Sequence, residues 1–126
     1  MLEALERFNK IPWIATLAIG ITIFYVSSLE FGTSSTGTGN LSIIYHVGIF
    51  FIFSLLFFIS AIKRGKIKLI PLVIIISIIY GILDELHQFF VPGRYSSFFD
   101  IILDTIGIAI ASAFYLILVL SKRRNS

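Results

Sequence analysis

The sequence contains no cysteine, and it carries little charge for its 126 residues. Without cysteine the chain has no disulfide framework, no thiolate nucleophile and no cysteine-based metal site. Charged residues make up 13% of the chain, whereas soluble domains usually carry roughly 25%. The hydrophobic share is 57% and the mean hydropathy is +0.98. This balance excludes most classes of soluble protein and indicates an integral membrane protein.

Long apolar runs account for most of the remaining sequence. Four stretches approach the roughly 20 residues that a helix needs to cross a bilayer, at about 11–29, 41–62, 69–91 and 98–120. Backbone groups cannot stay unpaired in lipid, so runs of this length predict helices, since a barrel strand needs only about 10 alternating residues. The predicted fold class is therefore all-α, an integral membrane four-helix bundle that forms one domain over residues 1–126.

The first apolar segment has an alternative interpretation as a cleaved signal peptide. The residues before it include Glu3 and Glu6, and no clear small-x-small cleavage site follows. We therefore expect this segment to be a transmembrane helix.

The basic residues are distributed unevenly between the two sides of the predicted helices. Nine of the ten Lys and Arg residues lie before the first segment, between the second and third, or after the fourth; only Arg94 falls on the other side. By the positive-inside rule, we expect a multi-pass protein of the plasma membrane with both termini in the cytoplasm. The net charge of +3 does not indicate a nucleic-acid partner, because these residues lie where they anchor helices at a membrane.

The two connections on the opposite, outer side differ in composition. Residues 30–40 are rich in Gly, Ser and Thr, which indicates a flexible loop. Residues 92–97 are short and begin with Pro92 and Gly93, which predict a tight turn.

Most acidic and polar side chains lie at the outer ends of the predicted helices. They are Ser27, Ser28, Glu30, His46, Asp84, Glu85, His87, Gln88, Arg94, Asp100 and Asp104. A carboxylate at the bilayer centre costs about 2.5–3.5 kcal/mol to insert, so these groups are expected to face inward. Spacing supports this, because Asp84, His87 and Gln88 share one helix face, and Asp100 lies one turn before Asp104. We therefore predict one outer-facing polar pocket.

Each of these residues also has a structural explanation. Asp84 and Glu85 could form salt bridges with Arg94, and Asp100 could stabilise the start of the fourth helix through the helix dipole. Serine hydroxyls within helices often bond back to backbone carbonyls, and either histidine could serve only as a hydrogen bond between helices. Asp104 lies too deep in its helix for capping, so its position favours a functional role.

The segment 84–94, which reads DELHQFFVPGR, closely resembles the signature of the VanZ-like membrane protein family. That signature is an acid pair, x-x-Gln, an aromatic stretch, Pro-Gly-Arg and an aspartate six residues later, here Asp100. Further matching positions are Ser27, Ser28, Tyr45, His46 and Gly107. The chain departs from the pattern at Asp104, where the family usually has Asn. The family's namesake is associated with low-level resistance to the glycopeptide antibiotic teicoplanin.

Three functions remain open, and with them the question whether the protein is an enzyme. It could act on a lipid-linked or anionic head group of the outer leaflet, bind a lipid or cell-envelope component without catalysis, or form part of a small transporter. The scarcity of polar residues in the inner halves of the helices counts against transport. Catalytic candidates are Asp84, Glu85, His87 and Asp104; substrate-binding candidates are Ser27, Ser28, His46, Gln88, Arg94 and Asp100. A cluster of His and Asp could also hold a divalent cation as cofactor.

Overall fold

Four long helices form the molecule. A computed structural model describes residues 10–29, 39–62 and 66–126. The helices are α1 (Lys10–Ser27), α2 (Asn40–Ala61), α3 (Ile70–Phe89) and α4 (Phe98–Arg124), and a 3₁₀ turn (Ile67–Leu69) precedes α3. The described ranges contain no strand, and each of the four helices is long and apolar enough to cross a membrane. The predicted all-α class with four transmembrane helices is confirmed.

The helix ends lie within a few residues of those predicted, except at the end of α4. This helix continues to Arg124 rather than ending near residue 120, and its last turn contains Lys122, Arg123 and Arg124. Positive side chains stabilise the C-terminal end of a helix, where the backbone dipole is negative. The apolar pattern alone could not show this extension, because the added turn is polar.

The connection between α3 and α4 is a tight turn, as Pro92 and Gly93 predict. The backbone N–H of Arg94 donates to the carbonyl of Val91 at 3.2 Å, and Gly93 has a φ of 76°. This is the turn geometry that favours proline at the second position and glycine at the third. Predicted positions Glu30 and 31–38 in the other connection lie outside the described residues.

The helix α2 contacts the other three helices, most extensively α4. Gly107 on α4 permits this close approach, because a Cβ at that position would lie 2.4 Å from the carbonyl oxygen of Val47. Further along the same interface Phe58 stacks on Tyr115, with ring centroids 5.4 Å apart. The Tyr115 hydroxyl donates to the carbonyl of Ile62 at 3.0 Å, which satisfies a backbone acceptor where α2 ends.

Large apolar side chains cover the outer faces of the helices. Exposed examples on three helices are Ile14, Ile21, Ile79 and Ile117. In water such a surface would drive association, whereas in a bilayer it faces hydrocarbon of matching polarity. The polar residues gather instead where α1 and α3 end and where α2 and α4 begin. We call this the polar end of the bundle.

Candidate functional site

Six buried side chains at the polar end form what we call the buried polar cluster. They are His46 on α2, Asp84, Glu85 and Gln88 on α3, and Asp100 and Asp104 on α4; none is more than 6% exposed. Three helices therefore bring polar groups to one level, as the sequence predicts. Ionisable residues placed inside a membrane bundle are costly and are by default candidates for function.

The imidazole of His46 lies between two carboxylates of α4. Its Nδ1 is 2.8 Å from Oδ1 of Asp104, and its Nε2 is 3.9 Å from Oδ2 of Asp100. The two aspartates are four residues apart, so they lie on one face of α4 and both reach the same ring. The hydrogen bond to Asp104 fixes the orientation of the imidazole, which is the arrangement that general acid–base catalysis and metal binding both require.

Gln88 links the carboxylates of α3 to the turn that follows. Its amide nitrogen donates to Oδ2 of Asp84 at 2.9 Å and to Oε1 of Glu85 at 3.2 Å. Its amide oxygen accepts from Nη2 of Arg94 at 3.0 Å. A side chain that is both donor and acceptor is needed here, because it connects two acceptors with a cation.

Two serines outside the predicted site, Ser96 and Ser97, hold Glu85 in place. The backbone N–H of Ser97 donates to Oε2 of Glu85 at 3.2 Å. The Ser96 hydroxyl donates to the backbone carbonyl oxygen of Glu85 at 2.9 Å. The Ser97 hydroxyl also caps α4 by accepting from the N–H of Phe99. A serine directly before an apolar helix is a recognised capping signal, which could have indicated its position but not its contact with Glu85.

His87 lies outside the buried polar cluster, and its side chain contacts residues near the end of α1. Its Nε2 is 2.9 Å from the hydroxyl of Ser28, and its ring stacks on Phe24 with centroids 4.3 Å apart. The neighbouring Ser27 is buried and its hydroxyl lies 3.5 Å from the backbone carbonyl of Asp84. The structure thus brings both serines to the polar end. Among the described contacts, His87 bonds to Ser28 rather than to a carboxylate.

An apolar groove of about 460 Å³ lies between α1, α2 and α3. Its lining includes Trp13, Leu17, Gly20, Phe24, Phe53 and Tyr80. The hydroxyl groups of its wall are engaged within the protein, since Tyr80 donates to the carbonyl of Gly20 and Thr16 donates to that of Pro12. The groove therefore presents hydrocarbon surface, and it reaches Phe24, which stacks on His87. Hydropathy could not reveal it, because it depends on the spacing of three helices.

A bundle of four helices, each long and apolar enough to span a membrane, that buries carboxylates, an imidazole and an amide at one end defines a multi-pass membrane protein with a buried polar cluster. The sequence model of the family described as VanZ/LLP1 matches residues 6–119, and the chain belongs to this family. The resemblance drawn from segment 84–94 is thereby confirmed. No curated protein and no solved structure matches the chain.

Proposed function

We propose that the protein binds a membrane amphiphile with an anionic head group and acts on that head group. The class includes phosphorylated lipids and lipid-linked precursors of the cell envelope. One observation carries the proposal: an apolar groove reaches the polar end of the bundle through the contact between Phe24 and His87. An amphiphile has this same division into an apolar chain and a polar head.

The groove has the length and chemistry to hold a hydrocarbon chain. Trp13 and Phe24, which line it, lie eleven residues apart on α1, or about 16 Å along the helix axis. Its wall opens towards the lipid-facing side, where Leu17 and Ile21 are exposed. A lipid in this groove needs no aqueous path to enter, and its head group comes to lie at the polar end.

Arg94 suits the recognition of an anionic head group. It lies between Gln88 and Asp100 in the sequence, and its guanidinium donates to the Gln88 amide oxygen. A guanidinium forms paired hydrogen bonds to phosphate or carboxylate oxygens, which an ammonium cannot match. A bound phosphate would accept from Arg94 and leave the Gln88 bonds to Asp84 and Glu85 intact.

His46 and Asp104 supply the chemistry in this proposal. A carboxylate on one nitrogen of an imidazole orients the ring and leaves the other nitrogen either to accept or deliver a proton or to bind a metal ion. Asp84 and Glu85 lie on the adjacent helix and would orient the reacting group. The second candidate function is binding without catalysis. It is favoured by the burial of His46 and Asp104, which are only 4% and 1% exposed, because a reacting head group would have to reach these buried side chains.

We further propose that the polar end faces the outside of the plasma membrane, because nine of ten Lys and Arg residues lie towards the other side. An outward site meets the outer-leaflet lipids and the lipid-linked wall precursors. Resistance to a teicoplanin-type glycopeptide would follow if the ligand were such a precursor.

Turnover in a defined membrane tests the catalytic proposal. The purified protein is placed in phosphatidylcholine vesicles that contain phosphatidylglycerol, phosphatidic acid or a polyprenyl phosphate, and head-group masses are followed by mass spectrometry. We expect a time-dependent change of one anionic head group that is lost in Asp104→Asn. An anionic lipid that co-purifies unchanged would favour binding without catalysis, and failure to bind any of the three would contradict the proposal.

A further inference from the structure

We propose that His46, Glu85 and Asp104 form a binding site for a divalent transition-metal cation, with Zn²⁺ preferred. One nitrogen of His46 and one carboxylate oxygen each of Glu85 and Asp104 all lie within 4.8 Å of one another. The three residues come from α2, α3 and α4, so a shared ion would join three helices. This separation lets one cation contact all three with small side-chain movements, since zinc–ligand bonds are about 2.0–2.2 Å long.

Two carboxylate oxygens at this place lack the partners that buried oxygens need. In the described part of the chain, no hydrogen bond reaches Oδ2 of Asp104 or Oδ1 of Asp84, and both atoms are buried. Leaving a buried acceptor unsatisfied costs about 1–3 kcal/mol, and more for a charged group. A cation bound at Asp104 satisfies such an oxygen directly. The unsatisfied oxygens are evidence separate from the clustering of acidic residues, because they identify individual atoms that lack a hydrogen-bond donor.

Gly81 leaves room beside the unsatisfied oxygen of Asp104. A Cβ at residue 81 would lie 3.3 Å from Oδ2 of Asp104 and 3.3 Å from a ring carbon of Phe50. Gly81 is one turn before Glu85 on the buried face of α3. Oδ2 of Asp104 therefore faces α3, the helix that supplies the carboxylate of Glu85. The absence of a side chain here therefore lets the two carboxylates approach the same volume.

The balance of charge at the polar end also favours a cation. Four carboxylates are buried there, at Asp84, Glu85, Asp100 and Asp104, close to the imidazole of His46 and the guanidinium of Arg94. Charges in a medium of low polarity are stable only when they are paired. A divalent cation offsets two of the negative charges and takes a neutral imidazole as ligand.

The proposed ligands are already held in place by hydrogen bonds, and Glu85 is held by groups outside the site, as metal ligands usually are. Glu85 accepts from the N–H of Ser97 through Oε2 and from the amide of Gln88 through Oε1. Asp104 contacts the imidazole of His46 through Oδ1, a hydrogen bond between two of the proposed ligands that leaves Oδ2 of Asp104 for the ion. These contacts hold the three side chains close together before any ion binds, which lowers the cost of assembling the site.

The donor atoms select the class of cation. One imidazole nitrogen with two carboxylate oxygens is a set that Zn²⁺ accepts, whereas Ca²⁺ and Mg²⁺ favour oxygen ligands alone. The general order of divalent affinities places Zn²⁺ above Mn²⁺. We therefore expect Zn²⁺ to bind more tightly than Mn²⁺, and both more tightly than Mg²⁺.

Metal binding to the purified protein, without added lipid, tests this inference. The protein is purified in detergent without a histidine tag, treated with a chelator and titrated with ZnCl₂, MnCl₂ and MgCl₂ by calorimetry, and its metal content is measured by mass spectrometry. We expect about one Zn²⁺ per chain and a rise in the unfolding temperature on addition of Zn²⁺. Glu85→Gln and Asp104→Asn should weaken binding at least about tenfold, since loss of even a supporting group costs roughly 10–100-fold.

The matched control is His87→Ala, which removes the other histidine and should bind Zn²⁺ as the wild type does. Glu85→Gln keeps the shape of the side chain and one acceptor oxygen, which can still accept from the N–H of Ser97, so it decides the matter if Asp104→Asn does not fold. Absence of Zn²⁺ binding, wild-type affinity in Glu85→Gln, or an equal loss in His87→Ala would each overturn the site. No lipid is added in this assay and only metal binding is measured, so its failure is distinct from failure of the proposed head-group binding.

Discussion

Gln88 shows how much one residue contributes to the polar end. It contacts Asp84, Glu85 and Arg94 with a single amide group while remaining 2% exposed. Its two carboxylate partners lie on its own helix, three and four residues earlier, so the helix geometry itself places them within reach. Arg94 is brought to the amide by the turn at Pro92 and Gly93.

Replacement of Gln88 by Leu should destabilise the protein. The two side chains have similar volumes, so the loss of stability would come from the lost hydrogen bonds and not from packing. The substitution removes three hydrogen bonds and leaves carboxylate oxygens of Asp84 and Glu85 with fewer donors, at a cost of about 1–3 kcal/mol for each group left unsatisfied. Thermal unfolding in detergent should show a clearly lower midpoint than in the wild type. The control Leu86→Ala changes a lipid-facing neighbour that is 52% exposed. An unchanged midpoint for Gln88→Leu would show that these bonds contribute nothing to stability.

At this scale the sequence predicts which residues lie at the polar end but not which atoms pair. Asp84, Gln88 and Asp104 follow from hydropathy and helical spacing. The pairing of His46 with Asp104 depends on how far α2 and α4 are rotated about their axes, which no single-helix pattern contains. The contact of Ser97 with Glu85 depends in the same way on the path of the turn.

The contact between α2 and α4 is the most extensive between elements, and Gly107 sets its distance. A Cβ at residue 107 would lie 2.4 Å from the carbonyl oxygen of Val47 and 3.0 Å from the nitrogen of Phe51. Both are backbone atoms, so no side-chain rotation can relieve the overlap. The helices would have to separate, and the ligands on α2 and α4 would separate with them.

We expect Gly107→Ala to lower the free energy of unfolding by about 1–3 kcal/mol, the usual cost of an overpacked interior. The matched control is Gly48→Ala on α2, where a Cβ would meet nothing within 4 Å. That substitution should be neutral or slightly stabilising, because alanine favours helices over glycine. Unfolding of both variants in the same detergent gives the comparison. Equal stability of Gly107→Ala and the wild type would mean that the helices are not held as closely as described.

Helices were the elements that the sequence predicted best. Their starts and ends follow from apolar length and from Pro92 and Gly93, apart from the polar last turn of α4. The groove between α1, α2 and α3 was not foreseen, because it requires the gap beside Gly20 and the positions of Phe53 and Tyr80 on other helices. A glycine in an apolar helix indicates that another helix approaches closely, but it does not show which helix that is.

For the whole molecule, the charge distribution predicts an orientation that the helices alone do not define. Reporter domains fused after Ser126 and inserted within residues 34–39 test it. We expect the C-terminal fusion to be active only as a cytoplasmic reporter and the insertion only as an external one, because basic residues near helix ends resist translocation. Activity of an external reporter after Ser126 would reverse the proposed orientation and place the polar end inside.

In the proposed function, one ligand occupies the groove with its hydrocarbon chain and the polar end with its head group. Lipids retained by the purified protein, measured by native mass spectrometry in equal mixtures of phosphatidylglycerol and phosphatidylcholine, test it most directly. Gly20→Leu extends a side chain into the groove and should lower the retention of both lipids, whereas Gly48→Leu serves as the control outside it. Arg94→Lys keeps the charge but loses the paired donors, so it should fold normally, retain lipid, and lose the preference for the anionic head group. We expect these two losses to be separate; wild-type lipid retention in Gly20→Leu, or wild-type head-group preference in Arg94→Lys, would contradict the proposed function.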